Sequence, residues 1–315
     1  MTNRREMVLA GIAAVAVAGA FGEARAQQAQ GPQSVLVDVE WLASHLEDPG
    51  LVILQVGPEE QYRSEHIAGS RFVTLADLER PMPADGPHDE HLALELPEWD
   101  VLRGTLEGLG ISDDSRIVVV PASARITGSA RVMFTLDAAG LGGRSHFLDG
   151  GLEAWKAAGH PVTAEVPQAR PGTLRGSPAE RVVRTEWVLE GNALRDGFAL
   201  LDARAGAHYD GVRADRGKEG HIAGARNLHW ATLWNEEDAQ GAAYIKSREE
   251  LRALFAAAGV EEGDVVVAYC HIGQYATGVL LAARVLGHEV RLYDGSMNEW
   301  ALLDLPVEAG PGGPG

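Results

Sequence analysis

Glu65-His66-Ile67-Ala68-Gly69-Ser70-Arg71 returns 155 residues later as Gly220-His221-Ile222-Ala223-Gly224-Ala225-Arg226. Two further blocks repeat in the same order. Ile117-Val118-Val119-Val120 is matched by Val265-Val266-Val267-Ala268, and Asp149-Gly150-Gly151-Leu152-Glu153-Ala154-Trp155 by Asp294-Gly295-Ser296-Met297-Asn298-Glu299-Trp300. The last pair is offset by 145 residues, so the spacing drifts little over most of the chain. Ordered blocks at near-constant spacing mark a duplication, with copies of about 130 residues, a usual domain size. We place the copies at residues 33–165 and 179–308. A proline-interrupted linker at 166–178 joins them, and a flexible tail at 309–315, Gly/Pro only from Gly310, follows.

Within a copy, short β-branched runs alternate with amphipathic segments. Phe198 to Asp202 and Val265 to Tyr269 read as buried strands, and Glu289 to Tyr293 as another. Leu251, Leu254 and Phe255 have helical spacing, with Ser247 and Glu250 as a capping box and Gly259 as the stop. A further helix is expected from Ala276 to Leu286. This alternation predicts an α/β domain with a central parallel sheet and helices on both faces.

Across 315 residues there are 27 Lys+Arg against 45 Asp+Glu, a formal charge of −18. That balance excludes nucleic acid as a partner, because phosphate binding needs a basic footprint. It also means that an anionic substrate needs a local positive pocket. The single cysteine, Cys270, excludes an intramolecular disulfide, a CxxC pair and a structural cysteine-zinc site.

At the start of the chain, Arg4 and Arg5 precede an apolar run from Met7 to Phe21 that exits at Ala24-Arg25-Ala26. This is the pattern of a cleavable signal peptide over residues 1–26. The run is shorter than the ~20 apolar residues of a membrane span. The adjacent arginines also suit the twin-arginine route, and the choice between the two export routes stays open. Cleavage would leave a mature chain of charge −19, exported or periplasmic and not membrane-bound, with no cysteine at its start to carry a lipid.

Cys270 follows a strand and leads through His271-Ile272-Gly273-Gln274-Tyr275 into a helix, at the end of the sheet where α/β proteins bind ligands. A loop curling into a helix start aims several N–H groups at one point, which favours a thiolate with a pKa below the free value of ~8.5. Gly273 lets that loop curl. The alternative is an inert, buried small side chain.

Leu201-Asp202-Ala203-Arg204, Gly220 to Ala225, the Cys270 loop and Tyr293-Asp294-Gly295-Ser296 with Trp300 together resemble the tandem rhodanese-domain sulfurtransferases, over both copies. The resemblance implies two tandem rhodanese-like domains and a second copy whose cysteine takes up a sulfane sulfur as a persulfide. The sulfur then passes to cyanide or a thiol, a protein thiol included. No metal or organic cofactor is implied. Arg204 would bind the substrate, with Asp202 in support, and His271 through Tyr275 would surround it. The alternative for Arg204 is a salt bridge to Asp202 or another carboxylate that only shapes the loop, and both roles can coexist.

At an offset of 147 the first copy places Ser123 opposite Cys270, Gln55 opposite Asp202 and Gly57 opposite Arg204. Thiol and Asp-x-Arg are missing together there, which suggests a shared role, with the first copy as one wall of a cleft. The second copy has eight extra residues before its His-Ile-Ala-Gly turn, carrying Arg213, Arg216 and Lys218. These could form a positive funnel for an anion such as thiosulfate, or a solvated loop. His66 and His221 occur in both copies and are assigned to structure, as are Trp155 and Trp300. Trp230 and Trp234 could line the cleft or pack in the core.

A phosphatase or arsenate-reductase loop of the Cys-x5-Arg type is excluded, because Ala276 stands six residues after Cys270. Mercaptopyruvate sulfurtransferases resemble Cys-Gly-Ser-Gly-Val-Thr here, whereas this chain has Ile272 at the serine position. Thiosulfate is therefore the favoured donor. Mercaptopyruvate and a non-catalytic persulfide carrier serving a protein partner are the alternatives.

Overall fold

The computed structural model describes residues 34–80, 92–123, 126–168, 170–216 and 218–310. The signal peptide and the end of the Gly/Pro tail lie outside the described residues. The first copy contains β1 (Leu36–Val37), α1 (Val39–His45), β2 (Leu51–Val56), α2 (Glu59–Ser64), β3 (Arg71–Phe72), α3 (Trp99–Gly108), β4 (Arg116–Pro121), α4 (Ile126–Ala138), β5 (Ser145–Leu148) and α5 (Gly151–Ala157). The second contains β6 (Val182–Val183), α6 (Thr185–Leu189), β7 (Phe198–Asp202), α7 (Gly206–Tyr209), β8 (Arg226–Asn227), α8 (Arg248–Ala257), β9 (Val265–Tyr269), α9 (Gln274–Leu286), β10 (Val290–Tyr293) and α10 (Ser296–Leu302).

Each copy folds around a five-stranded parallel sheet, ordered β1-β5-β4-β2-β3 in the first and β6-β10-β9-β7-β8 in the second. The central strands are mostly apolar without alternation because helices cover both faces, and past its first residue each is buried. Ser247 and Glu250 form the expected reciprocal cap of α8. Helix α9 begins at Gln274, two residues before the expected start, because Gly273 can adopt the left-handed conformation just ahead of it.

The shared residues do shared structural work. Tyr62 stacks on His66 and Tyr209 on His221, with ring centroids 4.3 and 3.7 Å apart. Each histidine segment bridges to its own copy's C-terminal end, His66 to Thr163 and His221 to Glu308. Trp155 and Trp300 are buried, and each indole N–H donates to a carbonyl six residues on, Pro161 O and Pro306 O. One apolar core runs through both copies, with α4 and α9 packed against each other at its centre. All 13 residues of α4 are buried, since one face meets its own sheet and the other meets α9.

Candidate active site

Cys270 is the first residue past β9 and is buried. The chain turns from it through Gly273, whose φ of +80° favours glycine; a Cβ there would stand 2.8 Å from Asp294 Oδ1. The N–H groups of Ile272, Tyr275 and Ala276 face the Cys270 sulfur and favour its charged form, as the cradle expected from the sequence would. The pKa expectation needs correction. Burial pushes the thiol up, those three N–H groups pull it back only in part, and the Asp202 charge adds to the rise. The resting site therefore holds a protonated thiol more firmly than free cysteine does.

Cys270 lies in the wall of a cavity of about 320 Å3 with His271, Ile272, Gln274, Tyr275, Asp215 and Arg216. Larger clefts of about 420 and 620 Å3 have no contribution from Cys270, so size alone would misplace the site. His271 Nδ1 lies 2.5 Å from Asp215 Oδ2. Burial alone would raise the Asp215 pKa, but the bond and charge of His271, together with Arg204, hold it below the ordinary carboxylate value. The His271 ring meets Tyr275 edge-on at 5.8 Å and His208 at 4.8 Å. Burial, then His271 and Arg204, push His208 down, which keeps it neutral near pH 7.

Arg204 does not reach the cavity, contrary to the expectation that it binds substrate. It is fully buried, and its Nε and Nη2 grip Asp202 at 3.0 and 2.6 Å. Nη2 also donates to Gly220 O at 2.8 Å, and Nη1 to Asp215 Oδ2 at 3.3 Å. Burial would lower its pKa, yet the bonds and charge of Asp202 more than reverse that and keep it charged. The residues thus form a chain, Asp202–Arg204–Asp215–His271, ending beside Cys270.

The first copy has a different solution at the equivalent place. Buried Gln55 donates through Nε2 to Glu65 O at 3.3 Å, as Arg204 does to Gly220 O. Part of what Asp202 and Arg204 do is therefore structural and has a neutral substitute, which weakens the argument from their joint loss.

Sheet register corrects the alignment of the thiol. Val119 pairs with Phe147 and Ala268 with Leu292, and Phe147 and Leu292 each stand two residues before the shared Asp-Gly. Val119 therefore corresponds to Ala268, and Pro121, not Ser123, stands where Cys270 does. Among the described residues, those that line the thiol cavity all belong to the second copy and none to the first. It touches the loop from the side instead, with Thr127 Oγ1 accepting from Gln274 Nε2 at 3.2 Å.

Of the basic cluster, Arg216 lines the cavity and Lys218 pairs with Asp304 at 2.6 Å, while Arg213 is exposed on the same loop and outside the lining. Trp234 is core, and Trp230 stacks behind Tyr275 at 5.3 Å. Asp215 was missed by sequence reasoning. Its signal was an acid set among Arg213, Arg216 and Lys218 in the inserted stretch. Ser296 was also missed: its Oγ accepts from Cys270 N–H at 3.1 Å. Among the described residues no His/Cys/Asp/Glu group could hold a metal ion, and no helix is long and apolar enough to cross a membrane.

Comparison with known proteins agrees with this geometry. Residues 38–158 and 187–303 each match the rhodanese-like domain family. A thiosulfate sulfurtransferase of Cricetulus griseus is 30% identical over 291 residues, covering 84% of this chain and 91% of that protein. The sulfur carrier protein TtuD of Thermus thermophilus is 30% identical over 295 residues, covering 88% and 97%. Among solved structures, the 3-mercaptopyruvate sulfotransferase SseA from Escherichia coli aligns with a TM-score of 0.69 at 26% identity, over 83% of this chain and 98% of that one. The chain belongs to the rhodanese family and carries two of its domains in tandem.

Proposed function

We infer that this chain is a sulfurtransferase that carries sulfur as a persulfide on Cys270, with thiosulfate as donor. The observation that carries this is the cradle: one thiol in a cavity wall at a strand end, three backbone N–H groups facing its sulfur, and His271 and Arg216 beside it. Relatives named thiosulfate sulfurtransferase along most of both chains support it. The Cys270 thiol first gives up its proton to solvent, and the thiolate attacks the outer sulfur of thiosulfate. A new S–S bond forms, the S–S bond of thiosulfate breaks, and sulfite leaves with the electron pair. An acceptor nucleophile, cyanide or a thiolate, then takes the outer sulfur and returns the thiolate. The N–H groups stabilise the negative charge on sulfur at both stages. Arg216 places a positive charge in the cavity wall, against the net charge of −18, where an anion must enter.

Steady-state assay with thiosulfate and with 3-mercaptopyruvate, each with cyanide as acceptor, tests the reading. Faster thiocyanate formation from thiosulfate is expected, and Cys270→Ser abolishes it; residual turnover in that variant refutes the persulfide. Preference for mercaptopyruvate reassigns the donor. Persulfide formation without turnover to cyanide favours the carrier reading, which the resemblance to a sulfur carrier protein supports. Export through residues 1–26 remains part of the proposal, supported by Arg4-Arg5 and the apolar run, and is tested by N-terminal sequencing of the secreted or periplasmic protein.

A further inference from the structure

Among the described residues the first copy lines none of the thiol cavity, yet a charged residue buried in its central helix reaches into the second copy just behind the nucleophile. Arg131 lies on α4, and the side chains of Arg131 and Asp294 are 3% and 5% exposed. Arg131 Nη1 donates to Asp294 Oδ1 at 2.6 Å and Nη2 to Oδ2 at 3.2 Å, a two-pronged grip. Nη2 also donates to Leu94 O, and the Leu96 N–H donates to Asp294 Oδ2 at 2.9 Å. Among the described residues, the hydrogen-bond partners of the Asp294 carboxylate thus come from across the domain boundary. Related docking occurs on the other side, where Asp149, the counterpart of Asp294, accepts from Ile245 N–H at 3.0 Å.

Asp294 opens the turn that fixes the nucleophile. Two residues on, Ser296 Oγ accepts from Cys270 N–H at 3.1 Å and donates to Tyr293 O at 2.9 Å. Met297 N–H donates to Cys270 O at 3.1 Å, and Asn298 N–H to His271 O at 3.0 Å. Gly273 passes directly against the ion pair: a Cβ there would lie 2.8 Å from Asp294 Oδ1 and 3.1 Å from Arg131 Nη1. A shift of Asp294 therefore moves the backbone on both sides of Cys270.

We propose that Arg131 is a positioning residue for Cys270: through Asp294 it sets the loop whose N–H groups hold the sulfur, so the cysteine-free copy completes the active geometry of the other. This rests on the persulfide reading of Cys270, but part of its test does not. The chain has a single cysteine, so thiolate absorbance titrated against pH, with Cys270→Ser as blank, reports that group alone.

Arg131→Met and Asp294→Asn should each lower kcat for sulfur transfer by roughly tenfold or more in folded protein, with the double variant no worse than the more damaging single. Both should also move the thiolate titration, because the loop N–H groups lose their aim. Arg131→Lys, which keeps the charge but not the two-pronged grip, should fall between. If Arg131→Met does not fold, the nearly isosteric Asp294→Asn carries the test. Unchanged kcat and an unchanged titration overturn the proposal. So does a loss of activity that vanishes once the folded fraction is taken into account. A wild-type protein with no sulfur transfer sinks the functional reading, while the titration still decides the link to Arg131.

Discussion

Replacing Arg204 with Met separates a structural arginine from a substrate-binding one. The change deletes every side-chain bond of a fully buried guanidinium: the grip on Asp202, the bond to Gly220 O and the contact with Asp215. Asp202, itself fully buried, keeps the Arg204 main-chain N–H at 2.9 Å but loses its counter-charge. Breaking one side of a buried pair costs about 3–5 kcal/mol, because the remaining charge stays where water cannot reach it. Against a total stability of ~5–15 kcal/mol, that is a large share. At ~2–4 °C per kcal/mol, Tm should fall by about 10 °C. Urea unfolding and a thermal scan read this directly, and steady-state kinetics are taken below the new transition. Since Arg204 also holds Asp215, which holds His271, kcat/KM of the folded variant should fall as well. A variant with wild-type stability and only a raised KM would refute the reasoning and return Arg204 to the substrate.

Asp215→Asn should flatten the acid limb of the stability curve. The Asp215 pKa is depressed in the fold, so its contribution is present above the unfolded value of 3.8 and is lost as pH falls through the folded value. Acid unfolding followed by circular dichroism checks this, and an unchanged limb would count against the His271–Asp215–Arg204 arrangement. Cys270 shifts the opposite way. Its raised pKa gives a contribution that is present below the free value of ~8.5 and is lost as pH rises through the folded value. Cys270→Ala should therefore remove part of the alkaline loss of stability, and the resting thiolate should appear only above ~8.5; a midpoint below that would restore the original expectation. Gly273→Ala should destabilise by about 1–3 kcal/mol through its φ of +80° and the contact with Asp294, and should lose activity out of proportion. Normal kinetics in that variant would show that the loop tolerates the change.

What the sequence could show follows from which forces are local. Strand and helix periodicity, the Ser247 cap and the Gly273 turn depend on neighbours in the chain, and so did the placement of Cys270 at a strand end. The duplication made the sheet order of one copy a guide to the other. The role of Arg204 was not legible, because whether a guanidinium faces a cavity or a carboxylate is decided by tertiary enclosure. The His271–Asp215 contact joins residues 56 apart in sequence, across an insertion with no counterpart in the first copy. Ser123 was misplaced for a related reason. One offset was carried through a loop whose spacing differs between the copies, and only hydrogen-bonded register tied Val119 to Ala268. The thiol pKa was misjudged because loop geometry suggested the N–H groups but not the burial that outweighs them.

Together the two burials, of the thiol and of α4, explain why a copy without a cysteine belongs to the machine. An enclosed sulfur held by three N–H groups works only while the loop keeps its shape. Its anchors are the Ser296 turn on one side and α9 on the other. Helix α9 is apolar over most of its surface and would expose one face to water without α4, at a cost of ~25 cal/mol per Å2 of apolar area. The first copy covers that face, and its Arg131 reaches past the helix to the Asp294 turn. On the persulfide reading of Cys270, sulfur chemistry is confined to one copy, while the rigidity it needs is built from both.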